Sequence, residues 1–154
     1  MMMFHDDKIY YDYIMSWLGV PYIWGGQSRM GVDCSGLLQR LLDVKGLDPP
    51  GDQTAQGLFN HFQKEGQAIY LPAFGALVFF GSKIDTIKHV GMCLNADYML
   101  EAKGGGPSTL TPTAGASVEV SRIHRRNDIQ GVFLPYNSLF INGQWPHRAP
   151  DMEQ

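Results

Sequence analysis

Two cysteines in 154 residues are too few for a disulfide framework. The chain must therefore be held together by an apolar core, and Cys34 and Cys93 are expected to be free thiols. Basic charge is also scarce: 12 Lys and Arg stand against 15 Asp and Glu. With no block of cations to displace counterions from phosphates, nucleic acid is excluded as an expected partner. The one basic cluster, His124-Arg125-Arg126, is followed closely by Asp128 and reads as a solvated turn without function. No apolar run is long enough to span a membrane, and Met1 to Lys8 is acidic with no apolar stretch, so neither a span nor a secretory signal is expected. Repeats and low-complexity segments are missing too. The length suits one domain over residues 1–154, enough for a single core.

Periodicity supplies the elements. Ile9, Tyr10, Tyr13, Ile14, Trp17 and Leu18 recur at helical spacing before Gly19 and Pro21, predicting a first helix over 9–18. Residues 22–33 carry Gly25-Gly26 and Gly31 and read as a loop. Cys34, Leu37, Leu38, Leu41 and Leu42 then repeat on one face of a central helix that ends by Gly46. A third helix is expected from Asp52, as N-cap, to Gly66. Beyond it, short runs rich in Val, Ile, Phe and Tyr at 67–71, 76–80, 87–94, 98–102, 117–121 and 130–134 predict an antiparallel sheet. Helices first and strands afterwards make an α+β domain. The extension 135–154 has no clear period, and Gln144, Trp145 and Pro146 read as surface packing rather than a cover.

Three residues carry chemistry. Cys34 follows Asp33 and opens the central helix, where unpaired N–H groups favour negative charge and lower a thiol's pKa. The plain alternative is a small buried hydrophobe. The glycine-rich approach, with Ser35 and Gly36 in the first turn, is expected to leave space for a ligand. On the strand from Thr86 to Leu94, alternation sets His89, Gly91 and Cys93 against the core face of Val90, Met92 and Leu94. His89 can thus face a cleft, or simply be a surface strand histidine. Asn95-Ala96-Asp97 forms the hairpin loop to the next strand. A loop centred on Ala96 pairs position 89 with 103. One centred on Asn95 pairs it with 101 and brings the Glu101 carboxylate to the imidazole, as a base and its orienter are arranged. Otherwise Glu101 is an exposed strand residue, and composition does not choose the register. A metal held by Cys34, His89 and Cys93 is disfavoured, since residues four apart on a strand lie about 13 Å from each other. Cys93 reads as packing.

Several of these blocks resemble the NlpC-type cell-wall hydrolases, a papain-like group of peptidoglycan endopeptidases. Leu18-Gly19-Val20-Pro21-Tyr22-Ile23-Trp24-Gly25-Gly26 resembles the opening motif of that family, and Gly31-Val32-Asp33-Cys34-Ser35-Gly36-Leu37 its nucleophile motif. Gly75-Ala76-Leu77-Val78-Phe79-Phe80 resembles the strand before the catalytic histidine, and His89-Val90-Gly91-Met92 the histidine motif itself. The similarity spans residues 10 to 134. It implies a papain-like fold, with N-terminal helices, the nucleophile at the start of the central helix, and an antiparallel sheet of about five or six strands. It further implies Cys34 as nucleophile, His89 as general base and then acid, Glu101 as the third polar residue, and Tyr22 as an oxyanion donor beside the Cys34 N–H. Asp33, Ser35 and Trp24, inside the same motifs, are the candidate substrate contacts. The resemblance supports the register centred on Asn95.

Two departures stand out. Ala76 replaces an acidic residue common in the family, and Glu101 replaces histidine, which should favour the imidazolium form of His89. The resemblance implies hydrolysis of an amide in a peptidoglycan stem peptide, between D-glutamate and a diamino acid, with no cofactor and no metal. A wall substrate lies outside the cytoplasm, so synthesis there followed by delivery in a phage tail, injection particle or specialised secretion system is expected. Leu100-Glu101-Ala102-Lys103-Gly104-Gly105-Gly106 resembles such particle-associated members. Two alternatives are a papain-like acyltransferase or non-wall amidase, and a binding module that holds wall peptide without cutting it.

Overall fold

The structure is a computed structural model and describes residues 5–136; the expectations for Gln144, Trp145 and Pro146 fall outside that range. Helix α1 (His5–Met15) starts four residues before its apolar repeat, because Asp6 and Asp7 supply a first turn suited to the positive end of a helix. Its predicted last turn is instead wound with i→i+3 bonds, Trp17 N to Ile14 O and Leu18 N to Met15 O, both 3.1 Å, before Gly19 takes φ +85°. The expected loop over 22–33 contains a small hairpin, β1 (Gln27–Ser28) and β2 (Gly31–Val32).

Helix α2 (Cys34–Asp43) is capped by Asp33, whose Oδ1 accepts from Gly36 N at 2.8 Å. Leu37, Leu38, Leu41 and Leu42 are fully buried along it. Its end closes with Leu47 N donating to Leu42 O and Gly46 N to Asp43 O, while Gly46 takes φ +72°. Helix α3 (Ala55–Glu65) is capped by Thr54, whose hydroxyl accepts from Gly57 N at 3.0 Å, not by Asp52. Asp52 is engaged elsewhere: its carboxylate accepts from Gln27 Nε2 at 2.8 Å.

Strands β3 (Gln67–Ala68), β4 (Leu77–Gly81), β5 (Ile87–Cys93), β6 (Tyr98–Lys103), β7 (Ser117–Arg122) and β8 (Ile129–Leu134) form a six-stranded antiparallel sheet in the order β3-β8-β4-β5-β6-β7. A 3-10 turn, Ile123–Arg125, follows β7. One sheet face packs on the helices: Leu77, Phe79, Val90, Met92 and Leu100 join the leucines of α2 and Phe59 and Phe62 of α3. Phe59 meets Phe79 and Phe133 edge-on, with ring centroids 5.3 and 5.6 Å apart. The opposite face holds a second cluster of Ala76, Val78, Phe80, Cys93, Met99, Ile123 and Val132, and Cys93 packs there as expected. Burial on both faces explains the unbroken apolar run of β4. The family's acidic position is thus occupied by a fully buried alanine, Ala76.

Candidate active site

The site lies where β5 and β6 separate. Their ladder holds at Met92↔Leu100 and Cys93↔Met99. Continued, it sets Gly91 opposite Glu101 and His89 opposite Lys103, which is the register centred on Ala96. The expectation of the register centred on Asn95 is therefore wrong. Its consequence nevertheless holds, because Glu101 is the diagonal neighbour of His89 and diagonal pairs remain within reach of long side chains. His89 Nε2 and Glu101 Oε1 are 2.7 Å apart. A side chain at Gly91 would run into Met99 Sδ, so glycine is the residue that fits opposite the glutamate.

Past the end of the ladder a cleft of about 880 Å³ opens, a volume suited to a small ligand or a few residues of peptide. All seven residues singled out from sequence, Tyr22, Trp24, Asp33, Cys34, Ser35, His89 and Glu101, line it. The α2 terminus delivers Cys34. The backbone N–H groups of Val90, Ser35 and Cys34 lie close enough to its sulfur to favour the thiolate, that of Val90 because β6 no longer pairs with it. These donors do not win. Burial, reinforced by the neighbouring Asp33 carboxylate, pushes the Cys34 thiol up to about 11. The helix-end N–H groups do lower the thiol as expected, but desolvation of the half-buried Cys34 outweighs them.

Glu101 is fully buried. Desolvation alone would raise its pKa, but the contacts with His89 and Arg125, aided by the nearby Ser121 hydroxyl, outweigh it and hold the carboxyl at about 2. The Ser121 hydroxyl lies close enough to favour the carboxylate without a partner at normal hydrogen-bond geometry, and the His89 and Arg125 contacts are the well-formed ones. Arg125 Nη2 donates to Oε2 at 2.5 Å. An ionised Glu101 requires the proton of a neutral His89 to sit on Nε2, which leaves Nδ1 as the basic nitrogen.

Tyr22 is 5% exposed. Burial, with Cys34 and Asp33 nearby, pushes its hydroxyl up to about 12, so it stays a hydrogen-bond donor. Gly105 lies flat on its ring, where a Cβ would collide with the aromatic carbons. The expected ligand space lies beside Cys34, with Gly25 in its lining, while Gly36 and Gly26 pack against backbone: a Cβ on Gly36 would strike Gly26 O, and one on Gly26 would strike Gly31 O. Asp33 is likewise committed to the protein, with Oδ2 accepting from Gly25 N and Oδ1 from Gly36 N, each at 2.8 Å. Ser35 is mostly buried beside it, its hydroxyl 3.4 Å from Oδ1, whereas Trp24 is half-exposed at the rim. Cys93 is fully buried in the second cluster, and burial pushes its thiol up to about 12.

The basic cluster was misjudged. Arg125 and Arg126 both line the cleft. Arg126 holds Asp128 through two hydrogen bonds, 2.9 and 2.7 Å, with its guanidinium 4.5 Å from the Phe80 ring centre. Arg125 is brought back to Glu101 because buried Ile123 and its N–H bond to Asp97 O, 2.9 Å, fold the turn onto the sheet. The only sequence signal was a buried-type Ile directly before three basic residues.

The family model described as NlpC/P60 matches residues 19–125. The chain is 33% identical over 107 residues to the gamma-D-glutamyl-L-lysine dipeptidyl-peptidase of Bacillus subtilis, covering 67% of this chain and 31% of that protein. It is 36% identical over 93 residues to a probable endopeptidase of Haemophilus influenzae, covering 58% of this chain and 55% of that protein. It thus spans about a third and about half of the length of these two relatives. A crystal structure of an NlpC/P60 family protein from Bacillus cereus superposes with a TM-score of 0.65 at 24% identity, over 84% of this chain and 40% of that one. This last likeness concerns the fold.

Proposed function

The chain belongs to the NlpC/P60 family, and from that premise we propose that it is a cysteine peptidase that hydrolyses an amide in a peptidoglycan stem peptide. The observation that carries this reading is the His89 Nε2 to Glu101 contact, 2.7 Å, which leaves Nδ1 free in a cleft shared with the Cys34 thiol. A thiol near 11 is protonated at rest, so the proton leaves as the bond forms. Cys34 Sγ attacks the carbonyl carbon while His89 Nδ1 takes the thiol proton, and Glu101 offsets the imidazolium charge that results. The tetrahedral oxyanion accepts from the Cys34 N–H and the Tyr22 hydroxyl. His89 then protonates the leaving nitrogen, the C–N bond breaks, and a thioester remains. Water, deprotonated by His89, attacks the thioester carbon and restores the thiol.

For the scissile bond we favour the one between D-glutamate and the diamino acid, in line with the named specificity of the Bacillus subtilis relative. Asp33 and Ser35 then shape the cleft floor next to Cys34, and Trp24 offers a face at the rim. Delivery by a phage-like particle is our reading for the Leu100–Gly106 segment. The test is incubation of the wild type and Cys34→Ala with purified stem peptides and muropeptides of several wall types, with products identified by mass spectrometry. Cleavage that disappears in the variant is expected. Binding without cleavage by both proteins would favour a binding module. Turnover limited to other amides, or transfer to an added amine, would favour a non-wall amidase or acyltransferase.

A further inference from the structure

We propose that Arg125 is a positioning residue that sets the acid–base range of His89 through the carboxylate they share. One buried carboxylate serves two partners: Oε1 faces His89 Nε2 at 2.7 Å and Oε2 takes Arg125 Nη2 at 2.5 Å. The Glu101 side chain is 1% exposed, so no bulk water is at hand to replace either partner. With His89 neutral, Glu101 and Arg125 form a closed ion pair. With His89 protonated, two cations compete for one anion, and the imidazolium gains less from Glu101 than it would alone. Arg125 thus weakens the hold of Glu101 on an imidazolium, the ion that the proposed attack forms.

The other charges near the pair do not duplicate this. Glu119 on β7 is the register partner of Glu101 and is bound by Lys103 at 3.5 Å. Asp128 feels His89 but is held by Arg126 through two hydrogen bonds. Ser121 contributes a neutral hydroxyl, and Cys34 approaches from α2 as a protonated thiol. Arg125 alone among these cations touches the carboxylate that touches the ring.

The inference rests on His89 being the working base, and its test is chosen to be read without turnover. In the Cys34→Ala background, the His89 ring is titrated by NMR with Arg125 intact, with Arg125→Gln and with Arg125→Lys. Glutamine keeps a donor for Glu101 and removes the charge; Arg125→Met serves as a second neutral variant should glutamine unfold. The neutral variants are expected to raise the His89 midpoint by about one pH unit, given a charge on the far side of the shared carboxylate and partly screened by solvent, and lysine to restore it. An unchanged or lowered midpoint in a folded neutral variant overturns the proposal, whatever the substrate. In the active protein the acid limb of kcat/KM against pH should move by the same amount. A uniform loss of rate at every pH would mean that Arg125 merely anchors its turn. Failure of the peptidase assay with the midpoint shift present would instead count against the proposed function alone.

Discussion

Glu101 makes the acid stability of this fold quantitatively testable. Its carboxyl is held at about 2 against an ordinary 4.5. A carboxyl depressed in the folded state stabilises the protein above the unfolded value, and that contribution is lost as the pH falls through the folded value. The window therefore runs from about 4.5 down to about 2. The whole shift corresponds to roughly 3 kcal/mol, of which about 2 kcal/mol should disappear between pH 5 and pH 3. The comparison is with Glu101→Gln, which cannot titrate there. Asp128, also held low by Arg126, is present in both proteins and cancels in the difference. Urea unfolding at a series of pH values, followed by the fluorescence of buried Trp17, gives the two stability curves. Their separation should shrink by roughly 2 kcal/mol from pH 5 to pH 3. A separation that does not change with pH would refute the claim that the His89 and Arg125 hydrogen bonds hold Glu101 ionised.

Two further outcomes test the environment of Cys34, the proposed nucleophile. With the Cys34 thiol raised to about 11 and Cys93 fully buried, iodoacetamide should label a single site, lost in Cys34→Ala, at a rate that still climbs beyond about pH 9. A rate plateau below neutral pH would show a preformed thiolate and sink this account of the resting site. Gly36→Ala drives a Cβ into Gly26 O and to within 2.9 Å of Asp33 Oδ1. It should cost about 2–4 kcal/mol, read as a Tm lower by roughly 5–15 °C. A Tm within a couple of degrees of the wild type would mean that the loop and the α2 terminus are not packed as tightly as described.

Much of the frame was legible because local rules set it. The leucines of α2 carry their helical spacing openly, Asp33 announces the cap, and the short β-branched and aromatic runs mark the strands within a residue or two, apart from β3, which pairs only over Gln67–Ala68. The errors arose where distant groups compete. Asp52 has the right chemistry for a cap, but Gln27 claims its carboxylate and Thr54 takes the role. The turn after β7 looked solvated because its anchor, Ile123, packs on a second sheet face built from strands far apart in the chain. The glycines near Cys34 pointed to a close approach, as expected, but what approaches is the protein's own backbone.

The sequence by itself determined the class of the domain, the residues able to do chemistry and the helix end that presents Cys34, since capping, periodicity and residue type act over a few positions. Tertiary structure alone decided how those residues are arranged. It chose the register that makes Glu101 a diagonal partner of His89, ended the β5–β6 ladder so that a cleft opens, and folded Arg125 back onto the carboxylate. It also set the direction of the thiol's shift, because a pKa answers to the balance of desolvation and all neighbouring dipoles and charges, and that balance exists only once the chain has folded.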